Sequence, residues 1–119
     1  MQLSERRVRG VTIIDLTGDL TVPDNPGALR EKVITLLHRG ERRILLNVEN
    51  LRHMDSSCLG EIVASYTSTA SAGGSLKLEH VGPHLRDLLH TTRLDAIFES
   101  YDTEDTAIAS FAKPGPVVT

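Results

Sequence analysis

Residues 53–60 read His-Met-Asp-Ser-Ser-Cys-Leu-Gly and join a predicted strand to a predicted helix. Upstream, residues 44–48 are almost all apolar, as in a strand that is covered on both faces of a sheet. Downstream, apolar residues recur at helical spacing, namely Leu59, Ile62, Val63, Tyr66 and Ala70. Asp55 or Ser56 is therefore the predicted N-cap, and Ser57 falls in the first helical turn.

The two adjacent hydroxyls at this helix start have two interpretations. Serine is common at helix starts for purely structural reasons, because its side chain accepts a hydrogen bond from a free backbone N–H group. The same free N–H groups and the helix dipole would also favour a phosphate on Ser56 or Ser57. From the residues alone, capping and a phosphorylation switch both remain open.

The first half of the chain predicts an antiparallel pair of strands and a helix. Residues 3–9 and 11–17 have strand character and flank Gly10, which predicts a β-hairpin with its turn there. Asn25 is a candidate N-cap for the next helix, and Pro26 suits its first position.

The second half predicts alternating strands and helices. Residues 76–80 are typical of a strand, and Pro83 suits the start of a short helix. Residues 94–98 contain three large apolar side chains and predict a brief strand. Asp102 or Thr103 is the predicted cap of a last helix.

This order of elements predicts a single α/β domain over residues 1–112. We expect a mixed sheet of four or five strands, with helices mainly on one face. Residues 113–119 contain Pro-Gly-Pro and are predicted to form a flexible C-terminal tail. The 119 residues are enough to bury one core without metal or disulfide support, and that core should be aliphatic because aromatic residues make up only 3% of the chain.

Charge and composition argue against several classes of protein. The net charge of −3 argues against a protein that mainly binds nucleic acid. A single cysteine, Cys58, excludes an internal disulfide and fits a reducing cytoplasm. No apolar stretch approaches the length of a membrane span, and no signal peptide is recognisable. We therefore expect a cytoplasmic protein without membrane insertion.

The pattern of reactive residues does not indicate an enzyme or a metal site. The five histidines are scattered without ligand spacing, so no metal is expected. A hydrolase using Ser57 would need an imidazole partner, and the Gly-x-Ser-x-Gly elbow is absent. Cys58 could be a reactive thiol at a helix start, although a small apolar residue is the commoner role. We expect no catalytic residue and no cofactor.

The motif Asp-Ser-Ser-x-Leu-Gly, opening a helix after a hydrophobic strand, resembles that of STAS domains, in particular the bacterial anti-sigma factor antagonists. Other features follow in the order typical of that family: Gly18-Asp19-Leu20, the helix from Pro26, and Phe98 before the acidic residues 102–105. The resemblance covers residues 3–111. It implies a protein-binding domain that sequesters an anti-sigma factor and so releases a sigma factor.

The resemblance also implies roles for individual residues. Ser57 is the implied phosphate acceptor, Ser56 is the fallback, and Asp55 is a hydrogen-bonding or metal-orienting partner of the transfer. The implied partners are an anti-sigma factor that is also a serine kinase and a serine phosphatase, and a homodimer is left open. We define the partner face as the expected binding surface, formed by Asp19, Thr21, Asp24, Asp55, Ser56, Ser57, Cys58, Leu59 and Gly60.

Two positions depart from the family pattern. Cys58 stands where the family usually has glycine, and it adds a side chain where a partner's backbone would approach. Thr21 stands where antagonists commonly have an acidic residue. These departures favour the alternatives of a non-phosphorylated STAS scaffold or a transporter accessory subunit. A STAS module that binds a nucleotide or anion at the same helix start is a further alternative.

Overall fold

The computed structural model of the protein describes residues 2–19, 27–53 and 56–112. Within these residues the strands are β1 (Gln2–Val8), β2 (Val11–Asp19), β3 (Arg43–His53), β4 (Ser75–Glu79) and β5 (Ser100–Tyr101). The helices are α1 (Ala28–His38), α2 (Ser56–Ser71), α3 (Pro83–Thr91) and α4 (Glu104–Ala112), and a 3₁₀ turn spans Leu94–Ala96. The predicted tail at residues 113–119 lies outside the described residues.

The strands form one five-stranded sheet in chain order, from β1 to β5. β1 pairs antiparallel with β2, and the later pairs are parallel. The hairpin turns at Arg9 and Gly10, whose φ angles of 51° and 81° are those that a two-residue turn between twisted strands needs. The predicted hairpin and mixed sheet are therefore confirmed.

Apolar side chains fill both faces of the sheet. The larger core lies on the face that carries α1, α2 and α3. The smaller core, which packs against α4, consists of Val11, Ile13, Leu45, Ala107, Ile108 and Phe111. Ile44, Leu45 and Leu46 of β3 are fully buried, because this strand has helices on both sides. Three helices on one face and one on the other confirm the predicted layers.

The start of the first helix differs from the prediction. Its N-cap is Gly27 and not Asn25, and α1 begins at Ala28. The N–H of Glu31 donates to the Gly27 carbonyl at 2.9 Å, which forms the first helical turn. Gly27 has a φ of 83°, a left-handed conformation that glycine adopts readily. Residues within a right-handed helix have negative φ, so the helix can begin only after Gly27. Asn25 and Pro26 lie outside the described residues.

The predicted strand at residues 94–98 is wrong. The N–H groups of Ile97 and Phe98 donate to the Leu94 carbonyl at 2.9 and 3.0 Å, so the segment forms a helical turn. Phe98 is buried with its ring edge-on to Tyr66 at 5.0 Å between centroids, whereas Ile97 is 46% exposed. Ile97 and Phe98 follow Leu94 by three and four residues, which is the spacing of a helix. The short strand β5 begins only at Ser100.

Candidate functional site

The carboxyl ends of β2 and β3 lie side by side at one edge of the sheet. The two strands are parallel, and near their ends Gly18 pairs with Leu51 and Asp19 pairs with His53. Because both strands run in the same direction, their last residues lie next to each other at this end of the sheet. Helix α2 begins three residues after β3 ends.

The helix that carries the serine motif begins at Ser56, so Ser57 lies in its first turn as expected. The first N–H groups of a helix have no partner within the helix and can receive a negatively charged group. Asp55, at the position before the helix, lies outside the described residues, as do Thr21 and Asp24. For Asp19, Ser56, Ser57 and Cys58 the structure describes the backbone alone.

The next two residues of the partner face have different surroundings. Leu59 is 6% exposed and belongs to the larger core, so its side chain holds the first turn of α2 against the sheet. Gly60 is exposed, and a Cβ atom built on it would have no other atom within 4 Å. The helix start is thus fixed on one side and open on the other.

The rest of α2 is held by packing and by internal hydrogen bonds. Ser65 and Thr69 are fully buried, and their hydroxyls donate to the carbonyls of Glu61 and Ser65 at 2.9 and 2.8 Å. These bonds satisfy polar groups that would otherwise destabilise the core. α2 is therefore a firm support for the residues at its start.

A shallow cavity lies beside the end of β3. It has a volume of about 180 Å³ and lies between β3 and the start of α3. Its lining combines apolar side chains, among them Val48, Leu51 and Leu85, with the polar Glu49 and His84. A depression of mixed polar and apolar character therefore lies beside the end of β3.

A cluster of charged groups that the sequence analysis did not identify lies on the opposite face of the sheet. Arg6 donates to both oxygens of Asp15 and to both oxygens of Glu104. This arrangement holds the pKa of each of the two carboxyls below its usual range. The signals in the sequence are weak: Asp15 interrupts the apolar residues 13–16 of β2, and Glu79 is one of three polar residues that alternate with leucines in β4.

Within the described part of the chain, no three His, Cys, Asp or Glu side chains come together as a group that could hold a metal ion. Among residues 2–19, 27–53 and 56–112, no helix combines the length and apolar character needed to cross a membrane.

Comparison with known proteins gives consistent matches. A family model described as "Mlab, STAS domain" matches residues 3–99. The anti-sigma F factor antagonist of Paenibacillus polymyxa is 31% identical over 108 residues, which cover 91% of this chain and 92% of that protein. The anti-sigma-B factor antagonist of Bacillus subtilis (strain 168) is 34% identical over 87 residues, which cover 72% and 77% of the two chains.

A solved structure has the same fold. The Bacillus cell fate determinant SpoIIAA, in its phosphorylated form, superposes with a TM-score of 0.73 at 24% identity. The match covers 92% of this chain and 99% of SpoIIAA. With the family model spanning most of the chain, and with a relative at 31% identity almost end to end, this chain belongs to the STAS domain family.

Proposed function

We propose that this protein is an anti-sigma factor antagonist, a binding domain that sequesters an anti-sigma factor and so releases a sigma factor. The observation that carries the proposal is the Asp-Ser-Ser motif, which leads into α2 at the sheet edge where β2 also ends. Two relatives with antagonist names support it, since one of them aligns with nine-tenths of the chain. The protein would act in the cytoplasm as a switch and not as an enzyme.

Phosphorylation of Ser57 is the proposed off signal. A phosphate adds about −1.5 to −2 charges at neutral pH and three strong acceptor oxygens. At the start of α2 the free N–H groups and the helix dipole would stabilise this charge in the isolated domain. In a complex, the same charge would lose its water against a surface that fits a neutral serine. Ser56, one residue earlier in the same turn, is the fallback acceptor.

The proposed partner is an anti-sigma factor that is also a serine kinase, and a serine phosphatase would restore binding. The partner face would include the segment after β2 and the start of α2. Gly60 is exposed, and a Cβ atom at this position would meet no neighbouring atom within 4 Å. Leu59 would act indirectly, since its buried side chain holds the helix start in place.

A direct test is to incubate the chain with its cognate anti-sigma factor and Mg-ATP, and to map phosphate by mass spectrometry. We expect one phosphate on the wild type, none on Ser57→Ala, and an undiminished phosphate on the matched control Ser56→Ala. The Ser57→Ala protein should still fold, because losing a helix-start hydroxyl costs about 1 kcal/mol. Phosphate retained on Ser57→Ala and lost from Ser56→Ala would move the acceptor to Ser56.

The second candidate is a STAS scaffold that is not phosphorylated. Cys58 and Thr21, the two departures from the family pattern, favour it. In that case the wild type would bind its partner and receive no phosphate at either serine. Binding and phosphorylation measured on the same samples therefore separate the two candidates.

A further inference from the structure

A row of polar side chains crosses the sheet on the face that α4 covers. Asp15 pairs with Asn47 in the parallel register, Asn47 pairs with Glu79, and Glu79 pairs with Tyr101. Residues paired across neighbouring strands point to the same face, so these four form a continuous row. The row lies next to the smaller core and on the opposite side of the sheet from α2.

Arg6 connects this row to α4. Its Nε and Nη2 atoms donate to Asp15 at 2.6 and 2.9 Å, and its Nη2 and Nη1 atoms donate to Glu104 at 2.6 and 3.2 Å. The Nδ2 of Asn47 donates to Asp15 at 2.8 Å. Asp15 and Glu104 therefore keep their negative charges, because the guanidinium pairs with both.

Glu79 is the member of the row without a donor. Its side chain is 0% exposed, and neither carboxyl oxygen accepts a hydrogen bond from any described residue. The Nδ1 of His80 lies 2.9 Å from Glu79 Oε1, but it is not oriented for a hydrogen bond. An ionised Glu79 would be a buried charge without a hydrogen-bond donor, close to the two carboxylates that Arg6 already holds.

Protonation removes this conflict. A neutral Glu79 carboxyl has an O–H group that donates to the neighbouring carboxylate of Glu104, so the two groups attract each other instead of repelling. Burial and the charge of Glu104 together raise the pKa of Glu79 to about 8. The titratable and charged groups around Glu79, from its own strand and the neighbouring elements, are Arg6, Asp15, Lys77, His80, Tyr101 and Glu104.

We propose that protonated Glu79 latches α4 to the sheet through Glu104, and that loss of this proton to solvent releases α4 from the smaller core. Release would uncover Val11, Ile13 and Leu45, which α4 covers with Ala107, Ile108 and Phe111. The device is separate from the proposed serine switch, because it lies on the other face of the sheet. It makes the C-terminal helix sensitive to pH near neutrality.

The direction of the pH effect follows from linkage. Glu79 binds its proton more tightly when α4 is docked, so its contribution to docking is complete below the ordinary glutamate pKa of 4.5 and is lost as pH rises towards about 8. Above about pH 8 the Glu79 carboxyl is ionised whether α4 is docked or released, so a further rise in pH no longer weakens docking. Between these two pH values, the equilibrium constant for release of α4 from the sheet should rise by up to tenfold per pH unit.

Amide hydrogen exchange on the full chain tests the latch. We expect the amides of residues 104–112 to exchange at least tenfold faster at pH 8 than at pH 6, after correction for the intrinsic rates, while α1 keeps its protection. In Glu79→Gln the carboxamide N–H donates to Glu104 at every pH, so the extra exchange should disappear. Unchanged protection of residues 104–112 in the wild type between pH 6 and 8 would overturn the proposal.

A control separates Glu79 from the adjacent histidine. His80→Asn keeps a residue that tolerates the φ of 59° at this position, and it should retain the pH-dependent exchange. Loss of the effect in His80→Asn, with the effect retained in Glu79→Gln, would assign the titration to the imidazole and refute the latch. If Glu79→Gln does not fold, carboxyl ¹³C NMR of the wild type decides, since a Glu79 midpoint near 4.5 would also refute it.

Discussion

Gly74 ties the end of α2 to the start of β3 through a close backbone contact. A Cβ atom at this position would lie 2.6 Å from the Arg42 carbonyl oxygen and 3.0 Å from Cγ2 of Thr69. The Arg42 carbonyl also accepts a hydrogen bond from Ser75 at 2.7 Å, so it is not free to move. We expect Gly74→Ala to lower the free energy of unfolding by about 1–3 kcal/mol.

Urea denaturation with a second glycine variant measures this effect. Gly60→Ala is the matched control, because its new methyl group meets no atom within 4 Å and lies in a helix. It should leave stability unchanged or raise it by up to about 1 kcal/mol. Equal losses in the two variants would contradict the steric explanation.

Cys58 belongs to the first turn of α2 and to the partner face. If its side chain only replaces the glycine usual in the family, Cys58→Gly should bind the anti-sigma factor with equal or higher affinity. The helix would lose up to roughly 1 kcal/mol of stability from the lower propensity of glycine. Weaker binding of this variant, together with thiol labelling of the wild type well below neutral pH, would instead indicate a functional thiolate.

At the scale of elements, local patterns identify most helices and strands. The continuous apolar run at residues 44–48 predicted β3, and apolar residues at helical spacing predicted α2. Pro83 predicted the start of α3. The error at residues 94–98 arose because a short apolar segment does not distinguish a strand from a helical turn without its hydrogen bonds. Helix α1 starts later than predicted because Gly27, and not a polar side chain, takes the cap position.

The cap of α4 was predicted as Asp102 or Thr103, and the structure assigns it to Thr103. Its Oγ1 accepts the N–H of Thr106 at 3.2 Å, and its carbonyl accepts the N–H of Ala107. We expect Thr103→Ala to cost about 1 kcal/mol in urea denaturation. Thr67→Ala is the matched control, because the exposed Thr67 hydroxyl only donates to a carbonyl of its own helix. A cost for Thr67→Ala as large as that for Thr103→Ala would rule out a specific capping effect.

At the scale of the whole molecule, contacts between distant parts of the chain were beyond prediction. Arg6 and Glu104 are 98 residues apart, yet their side chains bond directly. No periodicity or local motif reports which sheet face a C-terminal helix will cover. The serine motif was identifiable because its residues are adjacent in sequence, whereas the Glu79 cluster comes from separate elements.

These charges should determine how stability depends on pH. Asp15 and Glu104 have depressed pKa values because Arg6 donates to them, so their contribution is present above their ordinary pKa and is lost as pH falls. Glu79 has a raised pKa, so its contribution is present at low pH and is lost as pH rises towards about 8. We expect the free energy of unfolding to peak near pH 5.

Urea titrations from pH 3 to pH 9 measure this profile. Glu79→Gln should remove the decline between pH 5 and 8 and leave the decline at acid pH in place. A wild-type maximum above pH 7 would contradict the assignment of a neutral Glu79.

A negative charge on Ser57 should block binding of the anti-sigma factor without unfolding the domain. At a helix start Ser57→Asp should be tolerated, whereas in the complex its desolvated charge would be costly. Ser71→Asp, at the exposed end of the same helix, adds the same charge far from the partner face and is the matched control.

The most direct measurement is isothermal titration calorimetry of the cognate anti-sigma factor with wild type, Ser57→Asp and Ser71→Asp, alongside thermal melts of each. We expect Ser57→Asp to bind at least tenfold more weakly than wild type, equivalent to about 1.4 kcal/mol, with a nearly unchanged melting temperature. Ser71→Asp should bind like wild type. Equal affinities for Ser57→Asp and wild type would contradict the phosphorylation switch and favour the scaffold.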